Sequence, residues 1–339
     1  MLHGIRYGFA STLSRGPEMK EPRLQHYIPR FYLSGFVDPE ILTREGKEVL
    51  WVYEKQKPIR CSSPKNEARQ RDFYTATQNG SRNVDVEIWF GKLENQVAPI
   101  IARLAKDGRH VTEREREWLA LFIGTMQGRT PAGRWQDENK IQPAVTQILK
   151  EAAADPSKFQ SFIKETYHLP ESEECTLEEI RQGILAGRSE DISARHDFRL
   201  LSIIEVGKKV AQVLLEMNWQ TIYSEAPSFF LTSDDPVVSH TIDEQANRLH
   251  LRMGVGAPGV NIWFPLSRTV CLRINKSCES GCGRWVSAGI RWVNKLAIMC
   301  ADRWVYASER SAKLKSLVDK RGGETNVRTA DWRFDRLSY

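Results

Sequence analysis

The stretch "RLLSIIEVGKKVAQVLLEMNWQTIYS", residues 199 to 224, contains the change of hydrophobic period that decides the fold. In its first part, apolar residues recur at three- and four-residue steps, as they do on the buried face of a helix. From Trp219 onward, apolar and polar residues alternate, as they do in a half-buried strand. The stretch therefore predicts a helix over about 195 to 217 that leads directly into a β-rich part. The residues predicted to form the buried face of this helix are Leu200, Ile203, Ile204, Val210, Val213, Leu214 and Met217.

Two more helices are predicted upstream of this stretch. The first covers about residues 83 to 106, where apolar residues recur at the same steps, and Gly108 follows in a position typical of a helix end. The second begins after Thr112, because Glu115 lies three residues later and completes a capping box. Pro131 stops or bends this second helix.

The remaining segments complete the predicted fold. Residues 132 to 153 predict a more polar helix, and residues 155 to 191 are interpreted as an acidic insertion of short helices. Between about 219 and 308, short strands alternate with Pro, Gly and Asp turns, and a late helix covers about 287 to 301. Helices followed by strands predict an α+β fold. Its mainly helical N-terminal part, about 83 to 217, would pack on a mixed or antiparallel C-terminal sheet with the late helix.

The composition is typical of a globular chain, and its length allows one large domain or two modest ones. Of its 339 residues, 41% are hydrophobic and 27% are charged, which excludes a disordered chain. The main domain is predicted over residues 20 to 308, followed by a basic helix and tail over 309 to 339. Residues 1 to 19 are predicted to be a flexible or spurious extension, either similar to a transit peptide or upstream of a natural start at Met19.

Charge, apolar runs and cysteine content indicate which partners, location and metal the sequence predicts. The net charge of +6 permits nucleic acid or a phosphate-bearing ligand as partner without requiring either. No apolar run approaches the roughly 20 residues that cross a bilayer, so no membrane partner is predicted. Six scattered cysteines predict reduced thiols and a cytoplasmic location. Zinc is not expected, because Cys271, Cys278 and Cys282 lack a fourth ligand and a Cys-x-x-Cys pair. The oligomeric state stays open.

Three charged residues occur at the edge of apolar helix faces. Glu87 and Glu94 stack two turns apart on the first predicted helix, at the margin of its apolar stripe. They are either solvated or matched by a cation, a metal or hydrogen-bond donors. Arg129 projects onto the apolar face of the second helix, where an arginine needs a carboxylate or a phosphate. It is therefore either bound to Glu87 or Glu94 in a salt bridge, or it binds an anion.

Two further segments place polar residues on structured backbone. In "FFLTSDDPVV", residues 229 to 238, Ser233 and Asp234 come where an apolar strand ends, a position from which catalytic side chains are often presented. The alternative is a turn in which the aspartate caps its own backbone. In "LQHYIPRFYLSGF", residues 24 to 36, His26 precedes Pro29, which suits the first turn of a helix.

The chain contains a set of motifs whose identity and order resemble those of a known family. The order is "QHYIPRFYLSGF", "WVYEK", "DFYT", the helix with two glutamates, "GRTP", "FLTSDDPVV", "FPLS" and "RWVYAS". Together they resemble the uncharacterised microbial family known as domain of unknown function 4238, whose hallmark is a His-x-x-Pro motif, here His26 and Pro29. The resemblance extends from about Leu24 to Ser308 and implies a grouping without a mechanism.

Two main functions are open for the polar residues, and either would suit a stress or phage-defence system. One is a hydrolase, most plausibly a metal-dependent nuclease or phosphodiesterase; the other is a non-catalytic sensor or binding protein whose polar cluster is structural or binds a small anion. Transferase-type chemistry is a third alternative. In the hydrolase, the catalytic residues would be His26, Ser233 and Asp234, and the substrate would be bound by Arg30, Tyr74 and Arg129. The ligands of Mg²⁺ or Mn²⁺ would be Asp72, Glu87 and Glu94.

Overall fold

The fold is that of a computed structural model, which describes most of the chain. The described residues are 24–74, 76–78, 81–83, 85–107, 109–136, 139, 147, 150–167, 178, 181–188, 196–323 and 332–333. The predicted extension over residues 1 to 19 lies outside the described residues, as do parts of the polar helix, of the acidic insertion and of the C-terminal tail.

The helices lie largely where the hydrophobic period predicts them. The three long ones are α3, α4 and α7, and together they form the helical layer. In chain order the helices are α1 (Arg30–Ser34), α2 (Pro39–Glu45), α3 (Asp85–Asp107), α4 (Glu113–Gly128), α5 (Pro131–Gln136), α6 (Pro156–Tyr167), α7 (His196–Leu215), α8 (Ser287–Cys300) and α9 (Ala312–Arg321). The start predicted for α4 is confirmed, because the Glu115 carboxylate accepts hydrogen bonds from the Thr112 hydroxyl and backbone N–H at 2.8 and 2.9 Å. No helix within the described ranges is long and apolar enough to cross a membrane.

The strands form a large mixed sheet and a smaller antiparallel one. The strands are β1 (Leu24–His26), β2 (Leu50–Glu54), β3 (Arg60–Ser62), β4 (Arg69–Arg71), β5 (Ala76–Gln78), β6 (Ser81–Asn83), β7 (Asn218–Ser224), β8 (Thr232–Ser233), β9 (Val238–Asp243), β10 (Arg248–Leu251), β11 (Asn261–Ser267), β12 (Val270–Asn275), β13 (Gly281–Trp285), β14 (Trp304–Ala307) and β15 (Trp332–Arg333). The large sheet has seven strands in the order β13-β7-β12-β11-β9-β10-β15, and the smaller has four in the order β3-β2-β14-β8. Two antiparallel pairs, β1 with β4 and β5 with β6, lie apart from both sheets. The predicted α+β class is confirmed.

Strand β13 and the two-residue strand β15 are the parts of the large sheet that the sequence does not predict. The segment "CESGCGRW" carries two glycines and no β-branched residue, a composition that does not favour a strand. It nevertheless pairs in parallel with β7, with Gly281 opposite Gln220 and Trp285 opposite Ser224. All other pairs within the large sheet are antiparallel, so β13 makes the sheet mixed.

Both faces of the large sheet are buried. On β11, Ile262, Phe264 and Leu266 belong to the core shared with the helical layer, whereas Trp263 belongs to the core shared with α8. The alternation follows from the two-residue repeat of a strand, in which successive side chains point to opposite faces. The predicted packing of the sheet on the helical layer is confirmed, and α8 with the four-stranded sheet covers the second face.

Tyr32 binds α1 to this sheet by hydrogen bonds and ring stacking. The Tyr32 hydroxyl donates to the Pro265 carbonyl at 2.6 Å and lies 2.8 Å from the Thr232 hydroxyl. Its ring stacks on Phe264 with centroids 5.3 Å apart. Leu33 and Phe36 of the same segment are fully buried, so the helix that follows Pro29 is anchored by its own side chains.

The contact between α4 and α7 depends on two glycines. A Cβ atom at Gly124 would lie 2.4 Å from the Gly207 carbonyl oxygen, and one at Gly207 would lie 2.5 Å from Thr125 Cγ2. Both distances are shorter than real Cβ contacts, so only glycine permits the two helix backbones to approach this closely.

We expect Gly124→Ala to lower the free energy of unfolding by about 3 kcal/mol, because the added methyl group meets backbone atoms that cannot move independently. The matched control is Gly91→Ala on α3, where an added Cβ meets nothing within 4 Å. That control should raise stability by about 0.5–1 kcal/mol through the better helix propensity of alanine. Urea unfolding monitored by circular dichroism measures both, and similar effects of the two changes would contradict the close-approach interpretation.

The core between the sheet and α8 contains a histidine, His240. Its Nε2 accepts a hydrogen bond from the Trp263 indole N–H at 2.9 Å, and its ring lies edge-on to Trp292. Burial, and to a smaller extent nearby Arg273, lower the pKa of His240 from 6.5 to about 4. His240 is therefore neutral in the folded protein at pH 7.

This histidine predicts a loss of stability in acid. Below pH 6.5 the unfolded chain protonates at His240 while the folded protein does not until about pH 4, so stability falls as the pH falls through this window. The expected cost at pH 4 is about 3 kcal/mol. His240→Gln retains an acceptor for Trp263 but does not titrate, so it does not lose this stability in acid. The difference in free energy of unfolding between wild type and variant, measured with urea, should therefore shrink toward pH 4. A difference independent of pH would contradict the prediction.

Candidate functional site

Arg129 is the centre of a buried polar network. It follows the last residue of α4 and is 1% exposed. Its Nη2 donates to Glu94 Oε1 at 2.8 Å and to the His26 carbonyl at 3.2 Å, and its Nε donates to the Tyr74 hydroxyl at 3.0 Å. The guanidinium carbon lies 4.1 Å from the centroid of the Phe90 ring. The salt-bridge interpretation of Arg129 is confirmed, with Glu94 as the partner.

A glutamine, Gln25, extends the network to the second glutamate of α3. Its Nε2 donates to Glu87 Oε2 at 2.6 Å, and its Oε1 accepts from the Tyr74 backbone N–H at 2.6 Å. Gln25 was missed, because nothing in the sequence separates this glutamine from a solvated one. We call the joined set of Gln25, His26, Tyr74, Glu87, Glu94 and Arg129 the Arg129 network.

The environment fixes the charge states within the Arg129 network. Burial raises the pKa of Tyr74 to about 12, with Arg129 acting in the opposite direction. Burial disfavours the charged form of Arg129, but Tyr74 and Glu94 more than compensate and raise its pKa above the ordinary value. Arg129 is therefore a permanent cation that is matched inside the protein.

His26 takes part through its backbone and not through its ring. Its carbonyl accepts from Arg129, whereas its Nε2 donates to the Lys65 carbonyl at 3.2 Å. Burial lowers the pKa of His26, with the hydrogen bond to Lys65 opposing the shift. The ring predicted to be catalytic is thus directed at the 3₁₀ turn that spans residues 64 to 66.

Two other predicted residues lie at the surface. The side chain of Arg30 is 57% exposed and pairs with Glu48 at 2.8 Å, so it does not join the Arg129 network. Asp72 is 42% exposed and lies 3.7 Å from Arg71. No three His, Cys, Asp or Glu side chains among the residues described above form a group that could hold a metal ion. The structure therefore does not assemble Asp72, Glu87 and Glu94 as a set of metal ligands.

Of the two residues predicted from "TSDDP", Asp234 binds a distant segment, whereas Ser233 forms hydrogen bonds within its own turn. The Asp234 carboxylate accepts from the backbone N–H groups of residues 302, 303 and 304, all at 2.8–2.9 Å. Burial raises the pKa of Asp234 to about 7, and these hydrogen bonds oppose the rise. Ser233 Oγ donates to the Asp235 carbonyl at 2.9 Å. Asp234 thus caps a distant segment and not its own backbone, and it does not contact the Arg129 network.

The next residue in the motif, Asp235, forms an ion pair of its own. Its Oδ2 lies 3.1 Å from Arg252 Nη2, which also donates to the Cys300 carbonyl at 2.6 Å. Burial raises the pKa of Asp235, with Arg252 opposing the shift. The doubled acid before a proline marks Asp235 in the sequence, but no sequence signal identifies Arg252 as its partner.

Asp235 and Arg252 line a cleft of about 240 Å³. We call it the arginine cleft, because Arg134 of α5 lines it as well. Its other polar lining residues are Gln127, Gln136 and Ser239, and its apolar wall includes Ile203, Val206 and Val210 of α7.

The cleft adjoins the Arg129 network through aromatic rings. The guanidinium of Arg134 lies 5.9 Å from the Phe73 ring centroid, and Phe73 packs edge-on against Tyr74 at 4.9 Å. The segments "GRTP" and "SDDP" therefore meet at one cleft, with the buried network behind it.

Comparisons with known proteins give one match. A family model described as protein of unknown function (DUF4238) matches residues 24–311. Neither the search of curated proteins nor the search of solved structures found a match.

We expect Arg129→Met to lower the free energy of unfolding by about 3 kcal/mol, because it leaves Glu94 partly buried without its cation. Arg30→Met is the control, since it removes an exposed ion pair that contributes less than about 1 kcal/mol. Chemical unfolding followed by tryptophan fluorescence compares them, and equal losses would show that the Arg129 pair does not organise the fold.

Proposed function

The chain belongs to the DUF4238 family, and from this premise we propose that it is a non-catalytic sensor or binding protein whose arginine cleft holds a small phosphate-bearing anion. The observation that carries the proposal is the meeting of Arg134 and Arg252 at one cavity, although they lie far apart in the sequence. Arginine is the side chain best suited to bind phosphate oxygens through paired hydrogen bonds.

The size and setting of the cleft support a small ligand. Its volume of about 240 Å³ is below the roughly 300 Å³ at which pockets for drug-sized molecules begin. Two arginines and one aspartate are the charged residues of its lining, which gives a net positive charge. The Arg129 network supports this role indirectly, because it is buried and holds the segment that leads to Arg134.

Hydrolysis of a phosphodiester bond stays a prediction, and one observation favours it as the second candidate. Asp235 is a carboxyl group that lines the cleft and whose pKa is raised by burial, as in many general acids and bases. A dependence on Mg²⁺ or Mn²⁺ and a nucleic-acid substrate belong to this second proposal and are tested by the turnover assay below. A role in stress or phage defence would suit either candidate.

Binding is tested by isothermal titration calorimetry with inorganic phosphate and with adenosine monophosphate. Arg134→Gln should weaken binding at least tenfold, because a charge-assisted hydrogen bond is worth about 1.5–3 kcal/mol. Arg284→Gln is the matched control, since Arg284 is exposed on β13 and does not line the cleft. Unchanged affinity in Arg134→Gln, or an equal loss in Arg284→Gln, would contradict the proposal.

Turnover is tested on the same proteins. Bis-p-nitrophenyl phosphate and single-stranded DNA are incubated with the wild type and with Asp235→Asn, each with Mg²⁺, with Mn²⁺ and with chelator. The binding proposal expects no product in any sample. Product that disappears in Asp235→Asn would replace it with the hydrolase.

A further inference from the structure

A second cavity lies between α8, α9 and the segment 228 to 231, and it shares no lining residue with the arginine cleft. Its volume is about 530 Å³, within the roughly 300–1,000 Å³ range of sites for small organic molecules. We call it the α8–α9 groove.

The floor of the α8–α9 groove is apolar. Leu231, Ile290 and Ile298 are almost fully buried beneath it, while Leu314 and Leu317 of α9 are partly exposed. Phe229 lies at one end and also lines the groove. Covering this floor with an apolar group is favourable in free energy, because apolar area is then removed from water.

The charges around the α8–α9 groove are almost all positive. Four basic residues line it, from both helices, and Glu309 is the one acidic residue of its lining. The basic residues are Arg291 and Lys295 of α8 and Lys313 and Lys320 of α9. Lysine and arginine can lay their methylene stems along an apolar surface and keep the charge at its edge. An occupant that complements both features has an apolar body and an anionic end.

We propose that the α8–α9 groove binds a long-chain acyl anion, that is, a single hydrocarbon chain with a carboxylate head. The chain covers the leucine and isoleucine floor, and the head lies at the basic edge. The open volume between the two helices suits one flexible chain, and it shares no lining residue with the arginine cleft.

The test compares three ligands of equal chain length by displacement of a fluorescent fatty acid below their micelle concentrations. The ligands are palmitate, 1-hexadecanol and hexadecyltrimethylammonium. Palmitate should bind at least tenfold more tightly than hexadecanol, because only the carboxylate complements the basic edge. The ammonium should bind most weakly of the three, because the basic edge repels its positive charge.

The head-group contact is tested by charge reversal. Lys313→Glu/Lys320→Glu changes two exposed lysines of α9 and should weaken palmitate at least tenfold with little effect on hexadecanol. The matched control is Lys92→Glu/Lys106→Glu, which makes the same change of charge at exposed positions of α3. The control should bind palmitate like the wild type, which separates a local contact from an effect of net charge.

The floor is tested by Leu317→Gln, which should weaken palmitate and hexadecanol alike. Circular dichroism and the melting temperature verify that this variant is folded. If it is not folded, the double lysine variant still tests the proposal. Equal binding of palmitate and the ammonium, an equal loss in the α3 control, or binding of an acidic amphipathic peptide without binding of palmitate would each overturn the proposal.

Discussion

A buried guanidinium must find its counter-charge inside the protein, and this requirement at Arg129 fixes how the N-terminal elements meet. Leaving such a charge unmatched costs several kcal/mol, so a displaced partner is not tolerated. Glu94 supplies the charge from α3, and the carbonyl of His26 and the hydroxyl of Tyr74 supply acceptors from β1 and the loop after β4. The pair itself adds little net stability, because the cost of removing two charges from water offsets much of their attraction.

The turn that follows Arg129 connects the buried network to the surface of the protein. A Cβ atom at Gly133 would lie 2.0 Å from the Gln127 carbonyl oxygen, so the chain doubles back tightly after Pro131. As a result, Arg129 is directed into the core while Arg134, five residues later, lines the arginine cleft. One short segment thus supplies both a structural cation and a cation beside an open cavity.

The sequence predicts those features that depend on the pattern of neighbouring residues. The period of the apolar residues identifies α3 and α7, and the capping box identifies the start of α4. For Arg129 the sequence left two alternatives, a salt bridge to a glutamate of α3 or a bound anion, and the structure shows the salt bridge. Contacts between distant backbone groups have no such signature. Nothing near Asp234 indicates that its partners are amides about 70 residues away, and nothing near His26 indicates that its carbonyl, not its ring, meets Arg129. Side-chain type predicts which groups need partners, while the fold decides which partners they receive.

The large sheet separates the two cavities, and β9 shows how. Ser239 lines the arginine cleft, on the side of the helical layer. Its neighbours Val238 and His240 point the other way, where Val238 joins the core with α8 and His240 lies against Trp292. Trp292 in turn lines the α8–α9 groove. Adjacent residues of β9 thus face different cavities, because successive side chains of a strand point to opposite faces of the sheet. The same alternation that builds the two cores therefore places the two candidate sites on opposite faces of one sheet.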